Sequence, residues 1–149
     1  ARMTPTDLHR DAYALIVANP RGVTRHELVC ALFKNAAQLD RYSSAYLSLD
    51  RKARAVLEEV RTLAATNAHP SLGPLVIGYD PKARDDGAYV YAQSVEQANR
   101  ILEPQESRIK AIAAAWRVQQ RAAEHLGRRT PPAVQDALLT IERPQRMPI

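Results

Sequence analysis

The sequence predicts a mainly α-helical fold that carries one small β-hairpin and continues into further helices. Three features predict it: two helix starts with capping residues, an apolar stripe between residues 53 and 63 at helical spacing, and two β-prone runs around a polar connection.

Thr4-Pro5-Thr6-Asp7 opens a first helix over residues 4–19, with Thr4 as N-cap, Pro5 at the first helical position and Asp7 in the first turn. Leu8, Ala12, Leu15 and Ile16 give it one apolar face, and Asn19-Pro20-Arg21-Gly22 stops it. A second helix is expected over 25–34. Thr24 and Glu27 have the spacing of a capping box, Val23 and Leu28 that of a hydrophobic staple, and Leu28, Ala31 and Leu32 are expected to face inward. Residues 35–47, NAAQLDRYSSAYL, show no clear period and read as a long loop or a short extra helix.

The third helix, over 49–66, begins with SLDRKARAVLEEVRTL. Ser48 is its expected cap and Asp50 stands in its first turn, where the helix dipole favours an acid. Ala53, Val56, Leu57, Val60 and Leu63 recur on one face, which must be buried. Arg51, Arg54, Glu58 and Arg61 recur on another azimuth and form a polar ridge. A basic ridge suits a polyanion; the plainer alternative is a solvated face with an i,i+4 pair such as Arg54 with Glu58.

LVIGY at 75–79 and AYVYA at 88–92 flank DPKARDDG and read as a hairpin whose connection carries Lys82 and Arg84. Helical composition resumes at Ser94 and ends at Gly127, with a kink or restart expected at Pro104. Leu102, Ile109, Trp116 and Ala123 stand seven apart, with Ile112 and Leu126 at the complementary positions and Gln119 between them, a short imperfect heptad. Val134, Ala137, Leu138 and Ile141 mark a last helical segment over 131–141.

A chain of 149 residues with 46% hydrophobic composition is enough for one core, and the net charge of +5 favours anionic partners. Cys30 is the single cysteine, so neither a disulfide framework nor a cysteine metal cluster forms within one chain, and a reducing cytosol fits. No apolar run approaches a membrane span and no signal-peptide profile opens the sequence, so a soluble, cytoplasmic protein is expected. His9, His26, His69 and His125 show no metal-ligand spacing, and phosphate-loop, zincin and nucleophile-elbow motifs are missing. The sequence therefore points to no enzyme, cofactor, metal or small-molecule substrate.

Three helices followed by a hairpin is the order of a winged helix-turn-helix, in which the third helix enters the DNA major groove and the hairpin touches phosphates. Residues 1–93 form that expected domain and 94–149 a C-terminal helical oligomerisation segment. SLDRKARAVLEEVRTL, PLVIGY, GAYVYAQSVEQANRIL and RIKAIAAAWR also resemble the small winged-helix proteins of temperate phages and their bacterial hosts, over residues 23–117. Those share a D-R-x-x-R-type opening of the recognition helix, here Asp50 to Arg54, and a wing closing on a motif similar to Gly87 to Ser94. The resemblance implies DNA binding in transcriptional or replication control. The segment 35–47 departs from it, being longer than the usual tight turn.

The expected partners are double-stranded DNA and a second copy of the chain. Ser48, Asp50, Arg51, Lys52, Arg54 and Arg61 are the candidate contacts on the third helix, with Arg41 and Ser44 before it and Lys82 and Arg84 in the wing. Asp80, Asp85 and Asp86 offset the wing cations. Leu102, Ile109, Ile112, Trp116, Ala123 and Leu126 are the candidate dimer seam, with Trp116 a packing anchor rather than a base-stacking platform. Folding of that helix back on its own domain is the alternative to dimerisation. A winged-helix protein-docking module, or a replication or recombination accessory factor, is the alternative to a transcriptional regulator.

Overall fold

The computed structural model describes residues 5–142. The chain is mainly helical, with one small two-stranded antiparallel hairpin. It divides into two compact units, 1–102 and 103–149.

In the first unit, α1 (Asp7–Ala18) is capped by Thr6, which forms a reciprocal capping box with His9. The expected cap Thr4 lies outside the described residues, and Pro5 precedes the helix. In α2 (Arg25–Leu32) the Thr24–Glu27 capping box is present, with the Thr24 N–H donating to Glu27 Oε2 and the Glu27 N–H to Thr24 Oγ1, both at 3.2 Å. Val23 and Leu28, the staple residues, are both buried. Ala31 is exposed instead of inward, because the buried face runs through Leu28 and Val29.

The ambiguous segment resolves into a 3-10 helix, Lys34–Gln38, a turn, and the early start of α3 (Ser44–Thr66). Ser43 caps α3, accepting from the Tyr46 N–H at 3.2 Å while its hydroxyl donates to the Asp40 carbonyl at 2.6 Å. Ser48 is thus a helix-interior residue and not the cap, and Asp50 stands well past the first turn. Tyr46, Asp50, Ala53, Leu57, Val60 and Ala64 form the buried face of α3, against α1 and α2. Each large apolar side chain buried there contributes roughly 1.5–3 kcal/mol.

β1 (Ile77–Asp80) pairs antiparallel with β2 (Ala88–Tyr91), from Ile77 opposite Tyr91 to Asp80 opposite Ala88. Val23, between α1 and α2, adds a bridge to Tyr89 through two backbone hydrogen bonds of 2.9 and 2.8 Å. Gly22 makes this approach possible: its φ is +114°, and a β-carbon there would stand 2.8 Å from that of Ala88.

A single helix, α4 (Val95–Glu124), continues through Pro104 without restarting. Its first turns belong to the first unit, so the division falls later than the expected 93/94 boundary. Asp80 explains this, because Gln97 and Arg100 of α4 both donate to its carboxylate. In the second unit the rest of α4 ends as expected at Gly127, whose φ is +90°. The Gly127 N–H donates to the Glu124 carbonyl and the Arg128 N–H to that of Ala123, the two bonds of a Schellman stop. Gln120 is buried, donates to the Arg128 carbonyl at 3.2 Å and accepts from the Arg128 guanidinium. Among the described residues the last element is α5 (Pro132–Glu142).

Candidate nucleic-acid interface

The outward face of α3 carries Ser44, Ser48, Arg51 and Arg54, all exposed. At about 100° per residue, Arg51 and Arg54 lie roughly 60° apart on one flank, whereas Lys52 lies about 160° from Arg54. Lys52 therefore belongs to the opposite flank with Glu59, whose carboxylate meets His9 of α1. Arg61 is withdrawn from the ridge: its Nε donates to the Ile77 carbonyl at 3.0 Å and its Nη1 to Glu58 at 2.9 Å. It ties α3 to β1, so the expected outward contact becomes a strut. The expected Arg54–Glu58 pair gives way to Arg54 with Asp50 and Arg61 with Glu58.

Asp50 is only 5% exposed and does not face a ligand. Arg25, the first residue of α2, grips it side-on, with Nε and Nη2 each 2.8 Å from a carboxylate oxygen. Arg54 Nη2 approaches the same carboxylate at 3.4 Å. The hydrogen bonds that Arg25 donates to Asp50 raise its pKa further, so this guanidinium stays charged. Arg25 escaped the sequence reading. Its one local trace is a cation at a helix N-terminus, which opposes the dipole unless an acid meets it.

Two adjoining depressions share Arg25, His26 and Arg41. One, of about 720 Å³, opens between the start of α2 and the hairpin residues Tyr79 and Gly87; the other, of about 400 Å³, reaches Tyr42, Leu47 and Asp50. Arg41 is exposed and its guanidinium has no hydrogen-bond partner among the described residues, so it brings positive charge to the groove. Tyr42 is exposed beside it, and His26 Nδ1 lies 2.7 Å from the Tyr46 hydroxyl.

The hairpin connection differs. Arg84 does not extend outward as the sequence suggested. Its Nη1 donates to Glu27 of α2, 2.7 Å from Oε2, and lies 3.5 Å from the Gly22 carbonyl. That pairing holds the Glu27 carboxyl below its ordinary range. Arg84 and Asp85 both have left-handed backbone, at φ 51° and 64°. Lys82 is exposed and its ammonium has no partner among the described residues, but Asp85 and Asp86 are exposed as well, so the connection presents no net positive charge. Asp80, expected among these surface acids, is buried.

In the second unit the proposed seam is split. Ile109, Ile112 and Leu126 are exposed, Leu126 at 91%, whereas Trp116 and Ala123 are half-buried. Trp116 lines a depression with Leu138 and Leu139 of α5, which supports packing over base stacking for its ring. Leu102, at the end of the first unit, is 37% exposed.

A largely apolar concavity of about 320 Å³ lies between α1 and the end of α3, lined by Tyr13, Leu63, Ala64 and Pro70. Among the described residues no three His, Cys, Asp or Glu side chains gather as a metal site, and no helix is long and apolar enough to cross a membrane. Comparison of the chain with family models, with curated proteins and with solved structures gives no match.

Proposed function

We propose that the chain binds double-stranded DNA as a winged helix-turn-helix, with α3 in the major groove and the β1–β2 hairpin as wing, and that it acts in transcriptional control as a homodimer. The observation that carries this reading is that Arg54 of α3 shares the Asp50 carboxylate with Arg25, which together with Arg41 lines the depressions beside the hairpin. Arg51 stands about 60° from Arg54 on the same flank of α3, whereas Glu27 and Asp50 are already engaged by arginines. The element order, with Val23 bridging to β2, also suits a winged helix.

In this reading Arg51 is the foremost candidate for base readout, because a guanidinium meets guanine O6 and N7 with two bonds. Arg51→Ala with Arg54→Ala should weaken duplex binding at least tenfold, lower the salt slope by about one for the Arg54 phosphate contact, and relax sequence preference through the loss of Arg51. Unchanged affinity at moderate salt would refute the assignment of this face. A protein-docking role is the second reading, favoured by the uncharged balance of the hairpin connection and the exposed Tyr42 and Leu47. Binding to DNA that is absent at low salt would favour it.

The homodimer rests on Ile109, Ile112 and Leu126, apolar side chains left exposed on α4 and just beyond it. Sedimentation equilibrium should find a dimer at tens of micromolar, on the order of where modest coiled coils associate. A monomer at that concentration would remove this part of the proposal.

A further inference from the structure

Asp50 is an odd residue for its place. It lies on the buried face of α3 among Tyr46, Ala53 and Leu57, where an apolar side chain would continue the stripe. A buried carboxylate paired with arginine adds little stability over such a replacement, because desolvation offsets the Coulomb gain. Its partners lie on the other side of the balance: the side chains of Arg25 and Arg54 are 51% and 48% exposed while that of Asp50 is 7%. Two half-exposed guanidiniums from different helices are therefore anchored on one hidden carboxylate.

We propose that Asp50 is a positioning residue, which holds Arg25 and Arg54 as a fixed pair that grips a DNA backbone phosphate at the mouth of the groove shared with Arg41. This rests on the DNA-binding reading above and specifies where the backbone is held. A guanidinium has five N–H donors; Arg25 gives one from Nε and one from Nη2 to Asp50, which leaves three for a ligand. The trio carries a net charge of plus one, and Arg41, without an ion-pair partner among the described residues, adds another. A phosphodiester offers one negative charge spread over two free oxygens, the shape that a guanidinium edge matches. Anchoring removes the side-chain entropy that free arginines lose on binding. Arg84 is excluded from this role, since Glu27 neutralises it.

The sign of one charge change tests the inference. Asp50→Asn makes the protein more positive, so if Asp50 were only a nearby acid, the variant would bind DNA more tightly. As a positioning residue its loss should instead weaken binding roughly three- to tenfold and lower the salt slope by about one. Anisotropy of a labelled random-sequence duplex across a salt series, with the full chain, reads both quantities. Arg25→Lys keeps the charge but loses the two-point grip, and it should weaken binding similarly; it decides the matter if circular dichroism shows Asp50→Asn unfolded. Tighter or unchanged binding by folded Asp50→Asn, or wild-type affinity in Arg25→Lys, overturns the positioning role and leaves DNA binding standing. A wild-type chain without salt-dependent binding overturns the DNA reading and the phosphate grip together.

Discussion

Asp80, at the end of β1, accepts from Arg100 Nε at 2.9 Å, Arg100 Nη2 at 3.2 Å, Gln97 Nε2 at 3.0 Å and the Lys82 N–H at 3.0 Å. Asp50, in α3, is comparably buried but among the described residues its carboxylate meets only the two arginines. Arg100 is 32% exposed, drawn down onto the hairpin, whereas Arg25 and Arg54 remain half in water. The same ion pair therefore serves two ends. At Asp80 it closes a joint between the hairpin and the start of α4; at Asp50 it leaves the cations presented outward. What separates them is the solvent left around the arginine and the presence of neutral donors that complete the carboxylate.

Three substitutions rank this contrast by urea unfolding at neutral pH. Asp80→Asn should cost about 2 kcal/mol, because it disturbs a fully bonded buried carboxylate. Asp50→Asn should cost about 1 kcal/mol, since Arg25 and Arg54 can rehydrate where they stand. Glu27→Gln, at the exposed Arg84 pair, should cost at most about 0.5 kcal/mol. Equal losses at Asp80 and Asp50 would break the distinction between a joint and a charge-presenting anchor.

Acid sharpens the same comparison. The Arg100 hydrogen bonds, foremost, hold the Asp80 pKa at about 2 instead of 3.8. A depressed folded pKa means the stabilisation is complete above the unfolded value and is lost as pH falls from about 4 toward 2. The unfolding midpoint should drop across that window in the wild type and drop less in Asp80→Asn. An identical acid profile in the two proteins would remove Asp80 from this role.

Local chemistry made much of the first unit legible. The Thr24–Glu27 box, the stripe from Ala53 to Leu63 and the two β-prone runs each depend on neighbours within a few positions, and each is present. The start of α3 was missed because Ser43 and Ser48 are both chemically fit to cap, and Tyr46 and Asp50 blur the apolar period between them. Asp50 read as a first-turn acid only as long as the helix was thought to begin late. Arg25 and Arg84 were misjudged for another reason: their partners, Asp50 and Glu27, lie far away in sequence, and no spacing rule announces such a pair. Of the candidate site, the exposure of Arg51 and Arg54 was readable from the helix period, while the anchoring that orders the cations was not.

The bridge between Val23 and Tyr89 joins residues on either side of α2, α3 and β1. Closing so long a loop costs chain entropy that local helix contacts do not face, so this bridge should form late in folding, after α2 and α3 have packed. The same asymmetry acts in the native state. Rupture of the bridge detaches the hairpin edge without unwinding the helices, a partial opening of lower free energy than global unfolding. The Val23 and Tyr89 amides donate to each other's carbonyls, so both should show one shared protection factor against deuterium exchange, lower than that of the Leu57 amide inside α3. Protection matching Leu57 would mean that the hairpin and the helices open only as a single cooperative body.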